Sequence, residues 1–230
     1  MNQMSEDNGI FEFTPTRTLT DRAYETLEEL IVTLRLAPGD VISETALSDR
    51  LDIGRTPVRE ALQRLAREGL VKILPRKGIL VTEINPRSQL LLLEVRRELE
   101  RLLARTGAVR ATRNERVKFR EIAEGMRRAE CENDELGFMR LDDALNKLIA
   151  TAAHNEYANR AIGLTHGLSR RFWYMHYKQA ADLSLAARLH ADLADAIAAA
   201  APETAATACD RLIDYVETFT RTTVEVLPAV

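Results

Sequence analysis

Apolar residues recur at helical spacing through most of this chain, and the places where that rhythm fails mark its organisation. Residues 1–17 show no periodicity and read as a flexible tail. Tyr24, Leu27, Ile31 and Leu34 then form an apolar stripe. The helix carrying it is expected to begin at Thr20, with Thr20 as its cap and Leu19 packed on Tyr24 as a hydrophobic staple. Ala37-Pro38-Gly39-Asp40 reads as a turn. A short second helix follows, capped by Ser43, stapled by Ile42 and Leu47, and ending near Leu51. After a tight connection at 52–55, Val58, Ala61, Leu62, Leu65 and Ala66 share one face of a third helix. Thr56 is placed to cap it, Pro57 suits its first position, and Gly69 stops it.

The period then changes to two. Residues 70–74 and 79–82 read as short strands around a Pro-Arg-Lys-Gly loop at 75–78. Helix, helix, turn, helix and two-stranded hairpin is the layout of a winged helix-turn-helix. A boundary falls near Thr82–Asn85, where Asn85 and Pro86 look like the cap and first residue of a new helix. From there the pattern is helical throughout, in segments near 86–110, 114–130, 134–153, 156–178, 183–200 and 203–226. The expected fold is therefore mainly α, an N-terminal winged helix-turn-helix followed by an all-α bundle. The expected divisions are a tail at 1–17, a winged domain at 18–82, a linker at 83–86 and a helical domain at 87–226.

Composition changes this picture little. The chain has 230 residues, 46% hydrophobic and only 5% aromatic, enough for two modest domains rich in helix formers. No apolar run is long enough to span a bilayer, so no membrane partner is expected. Cys131 and Cys209 are too few for a disulfide framework, which points to a reducing, cytoplasmic setting.

Charge changes it more. The net charge is −3, yet the stretch from Gly54 to Gly78 holds seven basic residues against only Glu60 and Glu68. With the apolar stripe of the third helix turned inward, Arg55 and Arg59 stand at its N-terminal end. That is the end by which a recognition helix enters the major groove, where arginine reads guanine bidentately or holds phosphate. Backbone N–H groups there also favour phosphate. At the wing tip, Arg76 and Lys77 can reach a neighbouring groove, with Gly78 allowing close backbone approach. Arg64 is either a further phosphate contact or a solvated residue paired with Glu60.

The segment "ETALSDRLDIGRTPVREALQRLAREGLVKILPRKGILV" (44–81), above all "RTPVREAL", resembles the DNA-binding domain of the GntR family of bacterial transcription regulators. The helical remainder, from "LLEVRRELE" onward, resembles the FCD branch of that family. The resemblance spans about residues 18–222 and implies a homodimer on a pseudo-palindromic operator in double-stranded DNA. The DNA-binding set is then Ser43, Thr45, Arg55, Thr56, Pro57, Arg59, Arg64, Arg76, Lys77 and Gly78. Thr45 departs from family members that carry arginine there.

The resemblance also implies a small-molecule effector, a carboxylate, inside the bundle. Many members of this branch hold a metal there with an aspartate, a histidine four residues later and two further histidines. Those positions fall on Asp142, Asn146, His190 and Leu212, so only part of the set matches. Asp142, Asn146 and His190 are read either as an incomplete site for Zn²⁺ or a similar ion, or as a metal-free pocket needing no cofactor, since zinc prefers imidazole and thiolate donors. His166 and His176 lie off the ligand positions. Arg96 shares its helix face with Leu92, Leu99 and Leu103, so it pairs either with a carboxylate ligand or internally with Asp142, while Arg97 and Arg101 read as solvated. Tyr174, in the aromatic run "RRFWYMHY", completes the expected effector set of Arg96, Asp142, Asn146, Tyr174 and His190; the run walls the pocket or forms a dimer surface.

The expected function is a regulator, a repressor by resemblance, whose operator affinity follows effector occupancy. The alternative is a constitutive dimeric DNA-binding protein with no effector. No nucleophile motif, P-loop or glycine-rich cofactor loop argues for an enzyme.

Overall fold

The computed structural model describes residues 17–180 and 182–226, so the expectation for residues 1–16 lies outside the described residues. The chain opens with α1 (Leu19–Val32). Its cap is Thr18 rather than Thr20, because Thr18 and Asp21 form a reciprocal capping box that Thr20 has no partner to match. The cap at Thr18 also puts Leu19 and Tyr24 out of staple register. Thr20 instead donates its hydroxyl to Glu60 Oε2 at 2.7 Å, tying α1 to the third helix.

β1 (Val41–Ile42) and α2 (Glu44–Leu51) follow. Ser43 caps α2 through Ala46 N–H, and Ile42 and Leu47 join one core. Asp52, in the left-handed region at φ 51°, turns the chain into α3 (Arg55–Arg67). The cap of α3 is Gly54, without a side-chain bond, and Thr56 and Pro57 lie inside its first turn. Pro57 is tolerated there because a first-turn N–H has no helical acceptor.

β2 (Val71–Leu74) and β3 (Gly78–Val81) form the expected hairpin, but the sheet has three strands in the order β1-β3-β2. β1 pairs antiparallel with β3, Val41 opposite Leu80 and Ile42 opposite Ile79. Gly78 has φ +108°, and a Cβ there would stand 2.8 Å from the Ile42 carbonyl oxygen. Its glycine is thus required by the β1–β3 approach itself. Ala23, Leu27, Ile31, Leu47, Val58, Leu62, Leu65, Leu70 and Val81 fill the core of this winged unit.

Asn85 caps α4 (Pro86–Arg110), with Pro86 as its first residue. The bundle continues with α5 (Arg113–Glu132), α6 (Glu135–Ala152), α7 (Glu156–Ala180), α8 (Leu183–Ala198) and α9 (Pro202–Val226). Its core is rich in alanine: Ala186, Ala187, Ala191, Ala194 and Ala198 of α8 and Ala205 and Ala208 of α9 are all buried, which lets α5, α8 and α9 approach closely. No helix among the described residues is long and apolar enough to cross a membrane.

The two units are joined along α7. Leu168 packs on the winged core, and Gly167 leaves room for Leu70. Arg171, 2% exposed, donates to the carbonyl of Thr82 at 2.8 Å and to that of Glu83 at 3.4 Å, clasping the segment that leads into α4. Val32, at the end of α1, is buried in the bundle core.

Candidate functional site

Two regions gather the residues singled out by sequence. The first is the basic end of α3 with the wing. Arg55, Thr56 and Arg59 are exposed in and just after the first turn of α3, Ser43 and Thr45 are exposed at the start of α2, and Pro57 is half-buried. Arg59 donates to Glu44 from Nε at 3.0 Å and from Nη2 at 2.7 Å, so the starts of α2 and α3 stand side by side. That hydrogen bonding holds the Glu44 carboxyl below its ordinary range. One guanidinium edge is thereby satisfied and fixed, and a second edge is left to face a partner.

Arg76 and Lys77 are exposed at the turn between β2 and β3. Gly78 lies beneath them, and its freedom is used against Ile42. Arg64 is engaged elsewhere: its guanidinium lies 3.6 Å from the Tyr24 ring centroid and bonds Glu68 at 3.3 Å, so its partner four residues away is Glu68 and not Glu60. Tyr24 donates its hydroxyl to Glu68 at 2.8 Å, and together these bonds fasten α1 to the far end of α3.

The second region is a cavity of about 50 Å³ inside the bundle. α4 brings Arg96 and Glu100 to it, α6 brings Asp142 and Asn146, α7 brings His166, Ser169, Arg170 and Trp173, and α8 brings His190. Asp142 is the hub. Its Oδ1 accepts from Asn146 Nδ2 at 2.9 Å and lies 3.1 Å from His190 Nε2. His190 Nδ1 lies 2.7 Å from the Ala186 carbonyl, so both ring nitrogens face acceptors. Burial opposes the Asp142 charge, but His190, with Arg170 and Arg96, outweighs it and holds the pKa at about 2.

This geometry does not fit a metal. Leu212 brings no donor to the fourth position, Asn146 turns its N–H toward Asp142, and His190 has no ring nitrogen free. Among the described residues no group of three or more His, Cys, Asp or Glu side chains could hold a metal ion. The metal reading of Asp142, Asn146 and His190 is therefore corrected to an internally bonded polar cluster.

Arg96 is also corrected. It is buried as expected, but its internal partner is Glu100, one turn along the same helix, with Nε to Oε1 at 2.6 Å. Asn146 and His190 both bond Asp142 Oδ1, while Arg96 Nε is held by Glu100. Burial raises the pKa of Glu100, yet Arg96 and His166 overcome it and leave the carboxyl below its ordinary value. Arg97 and Arg101 are not simply solvated; they pair with Asp214 and Glu217, and with Asp210, binding α4 to α9. Tyr174 does not line this cavity. It faces a larger one, about 250 Å³, between α1 and α6.

Sequence reasoning missed Arg170 and Ser169, and set aside His166. Each sits on the helical period of the bundle-facing side of α7, a signal masked by the arginines and aromatics around it.

A winged helix-turn-helix packed on a six-helix bundle with a polar internal cavity defines a class, the two-domain DNA-binding regulator. Residues 19–81 match the family described as bacterial regulatory proteins, gntR family, and residues 91–215 match the FCD domain. The chain belongs to the GntR family of transcriptional regulators, in its FCD-containing branch. It is 28% identical over 187 residues to the HTH-type transcriptional repressor RspR of Escherichia coli K12, covering 81% of this chain and 82% of that protein. An HTH-type regulator in an unstable DNA locus of Streptomyces ambofaciens is 40% identical over 83 residues, 36% of this chain and 32% of the other. The solved structure of E. coli McbR/YncC superposes with a TM-score of 0.76 at 19% identity, over 91% of this chain and 100% of that one, a likeness of fold.

Proposed function

We propose that this regulator is a homodimeric repressor of the bacterial cytoplasm, not an enzyme, whose grip on a pseudo-palindromic operator responds to a small carboxylate in the bundle cavity. The observation that carries the DNA half is the exposed guanidinium of Arg59, held on one edge by Glu44 at the basic end of α3. Arg55, Thr56 and Arg59 read base edges and phosphates, Ser43, Thr45 and Pro57 border the same contact, and Arg76, Lys77 and Gly78 form the wing contact. Arg64 acts through α1 packing. The name of the RspR relative supports repression.

The dimer reading is supported by an apolar strip on α4 and α7. Leu91 and Val95 are 64% and 53% exposed, and they flank a groove lined by Leu92, Leu168 and Phe172. The effector reading is supported by donors without acceptors around the cavity. Arg170 Nε is buried without a hydrogen-bond partner, His166 Nε2 has only Glu100 Oε1, at 3.7 Å, and Arg96 spends only Nε on Glu100. An anion suits that set, and Asp142, Asn146 and His190 orient its polar end. The rival, a constitutive binder, is favoured by the cavity's small size, which requires side chains to move before an organic acid fits.

The test is selection of bound DNA from a random pool by the full chain and by Arg59→Ala. A short palindrome recovered by the wild type and relaxed in the variant is the expected outcome. The same motif from both proteins, or none, would remove Arg59 from base reading.

A further inference from the structure

The bundle cavity and the seat of the winged unit share two side chains, Met139 and Arg170, of which only Arg170 is charged. Arg170 of α7 lines the small cavity beside Asp142 and also lines the 250 Å³ cavity under α1. Its Nη1 donates to Glu28 of α1 at 2.8 Å and to Asp143 of α6 at 3.1 Å. Its Nε is shielded from solvent and bonds nothing. The Glu28 side chain is 12% exposed and, among the described residues, has no second cation within ion-pair distance. The neighbours of Arg170 complete the joint: Gly167 and Leu168 meet the winged core, and Arg171 clasps Thr82 and Glu83.

We propose that Arg170 is the anion-binding residue of the bundle cavity, and that an acid group bound there takes its guanidinium from Glu28 and loosens α1 from the bundle. The inference rests on the effector reading above. Arg170 serves Glu28 through Nη1 while its Nε is unused, and swinging the Nε edge onto a ligand carboxylate in the cavity draws Nη1 away from Glu28. The cavity is too small for an organic acid as it stands, so entry has to move a lining side chain. Arg170 and Met139 are the lining residues with space on their other side, and of the two only Arg170 can hold an anion. Glu28 is then left buried without its cation, a costly state that α1 relieves by moving toward water. α1 carries α3 with it through the Thr20–Glu60 and Tyr24–Arg64 contacts, so the displacement reaches the arginines at the start of α3. Linkage makes the effect reciprocal: DNA that prefers the seated α1 weakens acid binding, and acid binding weakens DNA.

The experiment uses the full-length protein and three variants, Arg170→Gln, Glu28→Gln and Asp143→Asn. Amide hydrogen exchange across residues 19–32 reports the seating of α1. Fluorescence of Trp173, the chain's single tryptophan and a cavity wall, reports binding of acetate, succinate and citrate. Glu28→Gln should speed α1 exchange by about 10-fold and tighten carboxylate binding by a similar factor, because the competing carboxylate is gone. Asp143→Asn should leave α1 exchange unchanged, since Asp143 belongs to the bundle. Arg170→Gln should bind no carboxylate. Unchanged α1 exchange in Glu28→Gln, or carboxylate binding by Arg170→Gln equal to wild type, would overturn the proposal. Faster α1 exchange in Glu28→Gln with no carboxylate bound by any protein would leave a latch but sink the anion role, and with it the effector reading.

Discussion

Replacing Arg96 by methionine separates what this side chain does for the fold from what it does for a ligand. Arg96 and Glu100 are each 8% exposed and joined at 2.6 Å, one turn apart on α4. Methionine keeps most of the apolar stem but leaves Glu100 buried, with His166 Nε2 at 3.7 Å as the nearest remaining base. Removing one member of a buried pair costs about 3–5 kcal/mol, whereas removing both charges is often close to neutral. His166 can share the Glu100 charge, so the lower end of that range, about 3 kcal/mol, is expected for Arg96→Met. The double variant Arg96→Met/Glu100→Gln should recover most of the loss, giving a coupling of at least about 2 kcal/mol, larger by whatever Glu100→Gln costs alone. Urea unfolding followed by circular dichroism, at one fixed protein concentration because the stability of any self-associating protein depends on it, measures all four proteins. A loss below about 1 kcal/mol in the single variant, or additive effects in the double, would refute the pairing. The double variant, stable but without Arg96, then shows whether a lost operator response reflects a missing ligand contact.

Two further outcomes are expected. Glu44→Gln frees Arg59 to rotate while removing a negative charge beside the DNA. Discrimination between selected and scrambled operator should fall by about 10-fold and binding to scrambled DNA should strengthen; an unchanged ratio would show that Glu44 does not aim Arg59. Asp142, with a folded pKa of about 2 against an ordinary value of 3.8, adds stability that is present above pH 4 and is lost as pH falls toward 2. Asp142→Asn should therefore be less stable than wild type by about 2 kcal/mol at pH 7, with the gap closing in acid. Urea midpoints from pH 7 to pH 3 that run parallel for the two proteins would contradict the cluster's charge balance.

Much of the fold was written in local chemistry that a sequence displays. Ser43 with Ile42 and Leu47, and Asn85 with Pro86, specify helix starts through contacts within a few residues, and the structure places those starts there. Local rivals were harder to rank: Thr18 and Thr20 are both cap residues, and only the reciprocal bond from Asp21 decides between them. β1 is two residues long, too short for any alternation to show, and exists because β3 offers it a pairing edge. Gly78 was visible as a glycine, but its reason, the Ile42 carbonyl, comes from that same unseen strand. In the cavity, Asp142 and His190 were brought together as expected from the family pattern. For Arg96 the sequence leaves a ligand carboxylate or Asp142 as partners, whereas the structure pairs it with Glu100, four residues away on the same helix.

Arg170 was the hardest to see, and for a reason that bears on how this protein works. Its Glu28 partner lies 142 residues earlier in the chain, and no periodicity links a position in one domain to a position in another. Residues that hold one domain against another are dictated by the joint, and the joint is where a regulator has to keep its sensitivity. α7 lines the cavity with His166, Ser169, Arg170 and Trp173, and the same turns touch the winged core and the chain at Thr82–Glu83. Cavity and joint therefore cannot be repacked independently. A cavity of only about 50 Å³ strengthens that link, because an occupant has to move its walls and α7 is the wall that the winged unit rests on.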